Sequence, residues 1–215
     1  RMLTSLRDAK KAGASIISIN PLKEAGMGRF KHPQNPLDLL GRGTRIADEH
    51  VAVKVNGDLA LFRGFAKVIL DSQEGPPAFV SEHTHGYDDY RNAVMATSWD
   101  EVAYTSGVDR GIIERIGGVI ARSECMISCW AMGLTQHRNA VATIQEITNV
   151  SLLGGHIGRP GAGLCPVRGH SNVQGDRTVG INHKPTTAFI DSLSKATGIE
   201  SPILKGADVV EAVRR

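Results

Sequence analysis

Apolar positions along the chain recur with two different periods, and the switches between them set the expected element order. From residue 2 to 12 the spacing is helical. Gly13 ends that run before ASIISIN (14–20), whose isoleucines predict a buried strand. HVAVKV (50–55) alternates as a second strand. After the turn Asn56, Gly57 and Asp58, the residues Leu59, Phe62, Phe65, Ala66 and Ile69 fall on one face of a predicted helix, with Asp58 placed as its N-cap. Residues 75–107 predict short helices joined by turns. Asp109 stands ahead of another helix, with a stripe of Ile112, Ile113, Ile116, Val119 and Ile120. CMISCW (125–130) predicts a third strand and AMGLTQ (131–136) the turn after it. Val141, Ile144, Ile147 and Leu152 then mark a helix that Gly154 and Gly155 stop.

A strand that runs through a polar turn into helical or loop structure, three times over, is the pattern of parallel strands with crossover helices, so the expected fold class is α/β. Three strand ends would then lie along one edge of one sheet: Asn20, Pro21 and Leu22; Asn56, Gly57 and Asp58; and Met132 to Gln136. Open α/β sheets hold their ligands at that edge. No G-x-G-x-x-G follows a strand and GLTQHRN lacks the P-loop lysine, so an ordinary dinucleotide or ATP site is not supported. Residues 23–43, rich in Pro and Gly, are expected to form a surface loop without readable chemistry.

The run from Gly154 to Gly180 breaks both periods, with eight glycines, two prolines and three arginines in 27 residues. No helix or strand is expected there. Arg159, Arg168 and Arg177 offer positive charge, and Asn172 and Gln174 offer directional amides, so an ordered anion-binding loop is the reading. Ile157, Leu164, Val167 and Val173 distinguish it from a flexible linker.

Composition changes this picture little. The 215 residues, 41% hydrophobic and 22% charged with formal net charge +3, suit a globular domain, and the charge is too small to argue for nucleic acid. No apolar run is long enough to span a membrane. Cys125, Cys129 and Cys165 are too few for a disulfide framework or a metal cluster, which fits a cytoplasmic setting, and Cys125 and Cys129 are expected as buried free thiols. His83 and His85 do not share a helix face, so no metal site is assigned. The chain starts at Arg1 and ends in EAVRR, and is expected to be a segment of something longer.

Residues 130–180, WAMGLTQHRNAVATIQEITNVSLLGGHIGRPGAGLCPVRGHSNVQGDRTVG, resemble the molybdopterin oxidoreductases that bind two molybdopterin guanine dinucleotides, closest to the formate dehydrogenase alpha subunits. The similar pattern there is W-x-M-G-x-T-Q, a helix, then L-L-x-G-x-x-G-x-P-x-A-G-x-x-P-V-R-G-Q-x-N-V-Q-G. The resemblance is weaker but continuous from Ala14 to Asp109.

It implies that residues 1–153 are part of a Rossmann-like, parallel-sheet domain binding molybdopterin guanine dinucleotide, that 154–180 form an active-site loop, and that 181–215 begin the following domain. By the same resemblance Asn20, Pro21, Leu22, Asn56, Gly57, Asp58, Met132, Gly133 and Gln136 contact the cofactor, Asp58 facing guanine donors; Asn20 stands where the family has Asp. Arg168 matches the arginine beside the metal that faces a substrate carboxylate, and His170 replaces a family Gln. The implied activity is two-electron oxidation of formate or a similar small substrate at molybdenum or tungsten. The metal's protein ligand and any 4Fe-4S cluster would lie outside these residues, leaving the segment alone inactive. The implied partners are the small substrate, the rest of the polypeptide and an electron-transfer protein, with no nucleic acid. Two other readings are a non-enzymatic phosphate- or RNA-binding module and a family member whose rebuilt pocket serves acid resistance or regulation. The aromatic-free loop counts against RNA.

Overall fold

The computed structural model describes residues 2–34, 41–170, 172–182, 184–200 and 209–214. Parts of the expected loop at 23–43 and of the expected following domain at 181–215 lie outside them. Residues 1–167 form one compact unit and 168–215 a second.

In the first unit α1 (Met2–Lys11) leads, past Gly13 at φ 96°, into β1 (Ile17–Ile19). A single turn, α2 (Ala25–Gly28), precedes β2 (Glu49–Val51). Then come α3 (Asp58–Asp71), the short helices α4 (Ala78–His83), α5 (Tyr87–Ala96) and α6 (Trp99–Ser106), and α7 (Arg110–Arg122). The order closes with β3 (Ile127–Trp130), α8 (Met132–Thr135), α9 (Ala140–Leu153) and β4 (Gly163–Pro166).

All strand pairing in β1–β4 is parallel, but it makes two separate two-stranded sheets, β1 with β2 and β3 with β4, where one sheet was expected. Periodicity locates strands; pairing depends on which edges meet, and that is not written in the spacing of apolar residues.

The core is built on α3, which packs against α6, α7 and α9. Leu61, Phe65, Ala66 and Ile69 are fully buried there with Val94, Ile113 and Val150. Glycines let the helices approach: a Cβ on Gly64 would lie 2.6 Å from Ile113, and one on Gly117 2.8 Å from Val68. The core face of α3 is centred on Leu61 and Phe65, one step round from the expected stripe, which leaves Leu59 and Phe62 half-buried. A polar cluster crosses the helices: Glu146 on α9, 3% exposed, accepts from Arg63 Nε and from the Tyr90 hydroxyl, both at 3.0 Å. Burial and the neighbouring carboxylate push the Tyr90 phenol up, so it stays a neutral donor.

Two local expectations are corrected. Asp58 is not the N-cap; Gly57 holds that position and Asp58 is the first helical residue. The glycine-rich run 154–180 does contain regular structure, β4 and, in the second unit, α10 (Val173–Thr178). A parallel neighbour supplies the hydrogen bonds of β4, which glycine density conceals. The second unit continues with α11 (Thr187–Thr197), whose Thr186 hydroxyl accepts from Phe189 N–H at 3.3 Å, and α12 (Val209–Arg214).

Candidate functional site

The turns after β1 and β2 are fixed by local chemistry. At the end of β1 the Asn20 carboxamide oxygen accepts from Leu22 N–H at 2.9 Å, while its Nδ2 donates to Glu24 Oε1 at 3.2 Å. That closes an Asx turn through Pro21. After β2, Asn56 takes φ 67°, a left-handed conformation that Asn tolerates, and Gly57 N–H donates to Lys54 C=O at 2.8 Å. A Cβ on Gly57 would sit 2.9 Å from Thr105 C=O and 3.0 Å from Ser106 Cα, so packing alone demands glycine. After β3 the chain makes the single turn α8, where Gly133 has nothing within 4 Å of a built Cβ.

These turns meet at one cavity of about 590 Å³, within the range of small-molecule sites. Asn20, Pro21, Asp58 and Gly133 line it, with Glu24, Leu134 and His137. Leu22, Asn56, Gly57, Met132 and Gln136 are not among its lining residues; Leu22 is 75% and Met132 44% exposed. The remaining walls are mostly apolar, from β1, β3, Phe62 and Phe65 of α3 and Ile116 and Ile120 of α7.

Asp58 dominates the polar part. It is 7% exposed, and burial raises its carboxyl above the usual range against the smaller pull of its own backbone N–H and of His137. His137 Nδ1 stands 3.7 Å from Asp58 Oδ2, too long for a hydrogen bond, and is buried without a partner. A half-satisfied carboxylate and an orphaned ring nitrogen in one cavity fit a ligand with both donor and acceptor edges, as a purine has. Sequence reasoning missed His137; its place one residue past the Met132–Gln136 turn was the only signal.

Arg168 and His170 are exposed residues of the second unit. Cys125 and Cys129 are exposed, not buried as expected, and Cys165 is exposed too. Cys129 and Cys165 face each other across β3 and β4, and desolvation beside the Cys165 thiol pushes the Cys129 thiol up. Among the described residues no group of three His, Cys, Asp or Glu side chains is arranged to hold a metal, and no helix is long and apolar enough to cross a membrane.

No protein-family model matches the chain. Over its whole length it is 47% identical to an uncharacterized oxidoreductase of Mycobacterium tuberculosis, of which it covers 28%. It is 39% identical to protein YdeP of Escherichia coli K12, again over its whole length and 30% of that protein. Formate dehydrogenase H of E. coli is 31% identical over 90% of the chain and 26% of the enzyme. The chain therefore spans less than a third of the length of these relatives. Among solved structures, acetylene hydratase from Pelobacter acetylenicus superposes with TM-score 0.61 over 74% of this chain and 20% of that one, at 22% identity, a likeness of fold.

Proposed function

We infer, because this chain belongs to the molybdopterin oxidoreductases and counts formate dehydrogenase H among its relatives, that residues 1–153 hold the guanosine end of one of two molybdopterin guanine dinucleotides in a larger oxidoreductase. The observation that carries this reading is the Asp58 carboxylate, buried at the strand ends beside Asn20 and Gly133. A carboxylate there accepts from the two donors on one edge of guanine, N1–H and N2–H, and no other common base offers that pair. Ligation by those donors favours the ionised form that burial disfavours. Asn20 shapes the turn rather than the ligand, since its amide is already committed to Leu22 and Glu24.

When bound, the cofactor's molybdenum or tungsten supplies the two-electron step. The chain's own contribution is position and charge. Arg168 presents a planar fork that pairs with both oxygens of a small carboxylate such as formate. His170, where the family pattern quoted above has Gln, keeps a hydrogen-bonding group at that position. The metal's protein ligand, an iron-sulfur cluster and the electron acceptor belong to parts of the polypeptide or partners outside these residues.

Two experiments on the intact polypeptide test this reading. Asp58→Ala is expected to lower bound pterin and metal while the circular dichroism spectrum stays that of the unaltered protein; full pterin content would remove the guanine assignment. Arg168→Lys is expected to keep pterin and metal but to reduce kcat/KM with formate about 10- to 1000-fold, the loss of a charge-assisted bidentate contact. A loss no larger than that of Arg159→Lys would leave Arg168 as one more loop cation.

A further inference from the structure

β3 and β4 bring together two thiols that no step of the proposed reaction uses. Their parallel register sets Cys129 opposite Cys165. Directly paired residues of neighbouring strands carry their side chains on the same face, with the strands about 4.8 Å apart. That spacing lies inside the range over which two Cα atoms accept a disulfide, about 4.4–6.8 Å. Both cysteines are exposed. Gly163 stands two residues before Cys165 on the same face, and a Cβ built there meets nothing within 4 Å, so the Cys165 thiol can be approached from that side. Cys125 stands outside this register, two residues ahead of β3, and its thiol donates to Pro160 C=O at 3.8 Å. Of the three cysteines, the ladder singles out one pair.

We propose that Cys129 and Cys165 form a reversible cross-strand disulfide, a modification site whose oxidant is a low-molecular-weight disulfide. The exchange runs in two steps. The Cys165 thiolate attacks one sulfur of the small disulfide, which forms a mixed disulfide on Cys165 and expels the other half as a thiolate. The Cys129 thiolate then attacks the Cys165 sulfur, forming the Cys129–Cys165 bond and expelling the second half. Two protein thiols are oxidised, one small disulfide is reduced to two thiols, and the two protein protons end on those thiols. Cys165 opens the exchange because the thiolate is the attacking species and partial desolvation holds Cys129 toward its protonated form. Once the mixed disulfide stands beside it, Cys129 needs only a small fraction of thiolate, since its attack is within the molecule.

Reversal is built into the ladder. Side chains that leave two strands in parallel keep their Cβ atoms near the strand spacing, about 4.8 Å, whereas a relaxed disulfide holds them about 3.8 Å apart. Closing the bond draws β3 and β4 together on one face and stores strain, and a strained disulfide is the more easily reduced. The pull falls where both strands run into the proposed site: Met132 follows Cys129 by three residues and Arg168 follows Cys165 by three. A consequence for catalysis therefore rests on the cofactor reading, whereas the disulfide itself does not.

The intact polypeptide, fully reduced, is treated with oxidised glutathione, blocked with an alkylating reagent and mapped by mass spectrometry. The expected result is the loss of both thiols to alkylation and their recovery as one peptide pair joining Cys129 to Cys165, released by dithiothreitol. Cys129→Ser is expected to stop the reaction at a glutathione adduct on Cys165, and Cys165→Ser to leave Cys129 mostly free over the same interval. Separate glutathione adducts on both cysteines of the unaltered protein, a bond from either one to Cys125 or to a second copy, or no reaction at either would overturn the assignment. The map needs no turnover, so it separates the two readings: a failed guanine assignment leaves the cross-link in place, and a failed cross-link leaves pterin binding in place.

Discussion

The turns after β2 and β3 occupy equivalent places in the fold and are built in opposite ways. Residues 56–58 are held by the protein itself: Asn56 is locked at positive φ, Gly57 is wedged against Thr105 and Ser106, and Lys54 reaches back to donate to Tyr104 C=O at 2.6 Å. Residues 131–136 have almost nothing around them. Ala131, Met132, Gly133, Thr135 and Gln136 are all exposed, and Gly133 borders open space. On the proposed reading, one turn is prepared in advance and the other is left for a ligand to complete. Preparation costs stability in the empty protein; openness costs ordering when the ligand arrives.

Substitutions on the two sides should therefore divide between folding and binding. The largest effect is expected for Gly57→Ala, where the new methyl meets backbone atoms at 2.9 and 3.0 Å. A loss of about 2–4 kcal/mol in denaturant unfolding is expected from such overpacking. An unchanged midpoint would mean that the corner yields, and that its rigidity is not what sets the contrast.

An intermediate effect is expected at Asp58. Its folded-state pKa lies above its ordinary value of 3.8, so its contribution to stability is fully present below that value and is lost as pH rises through the raised one. Asp58→Asn removes this dependence. In cofactor-free protein the variant's thermal midpoint is expected to fall less than that of the unaltered protein as pH rises from 3.8 toward neutrality, while its pterin affinity drops. Identical pH profiles would show that Asp58 pays no burial cost and would place the rigid corner outside the ligand's reach.

The smallest effect on folding is expected for Gly133→Ala, within about 0.5 kcal/mol, because the added carbon touches nothing and φ is not positive. Pterin content decides its role. A reduced content at unchanged stability would sharpen the contrast, showing that the open turn needs close backbone approach by the ligand. Loss of stability would erase it.

Much of the helical layer was legible because α3, α7 and α9 bury one side against a common core, and burial on one side leaves a period of 3.6. Ile113, Ile116 and Ile120 came out as expected. What the sequence could not carry was pairwise. The Glu146 cluster unites α3, α5 and α9 over separations of 83 and 56 residues, and no local pattern marks which polar residues converge. The meeting of Asp58 with His137 is of the same kind. β4 was hidden for another reason: Gly163 and Pro166 argue against a strand, and pairing with β3 overrides them.

Among the described residues the edges of β1 and β3 away from β2 and β4 pair with no other strand, and that bears on how the protein can be handled. An unpaired strand edge is a template for any other extended chain, and two of them in one molecule make it divalent. For residues 1–215 produced alone, solubility is then governed by concentration and by whatever caps those edges, more than by the well-packed helices behind them.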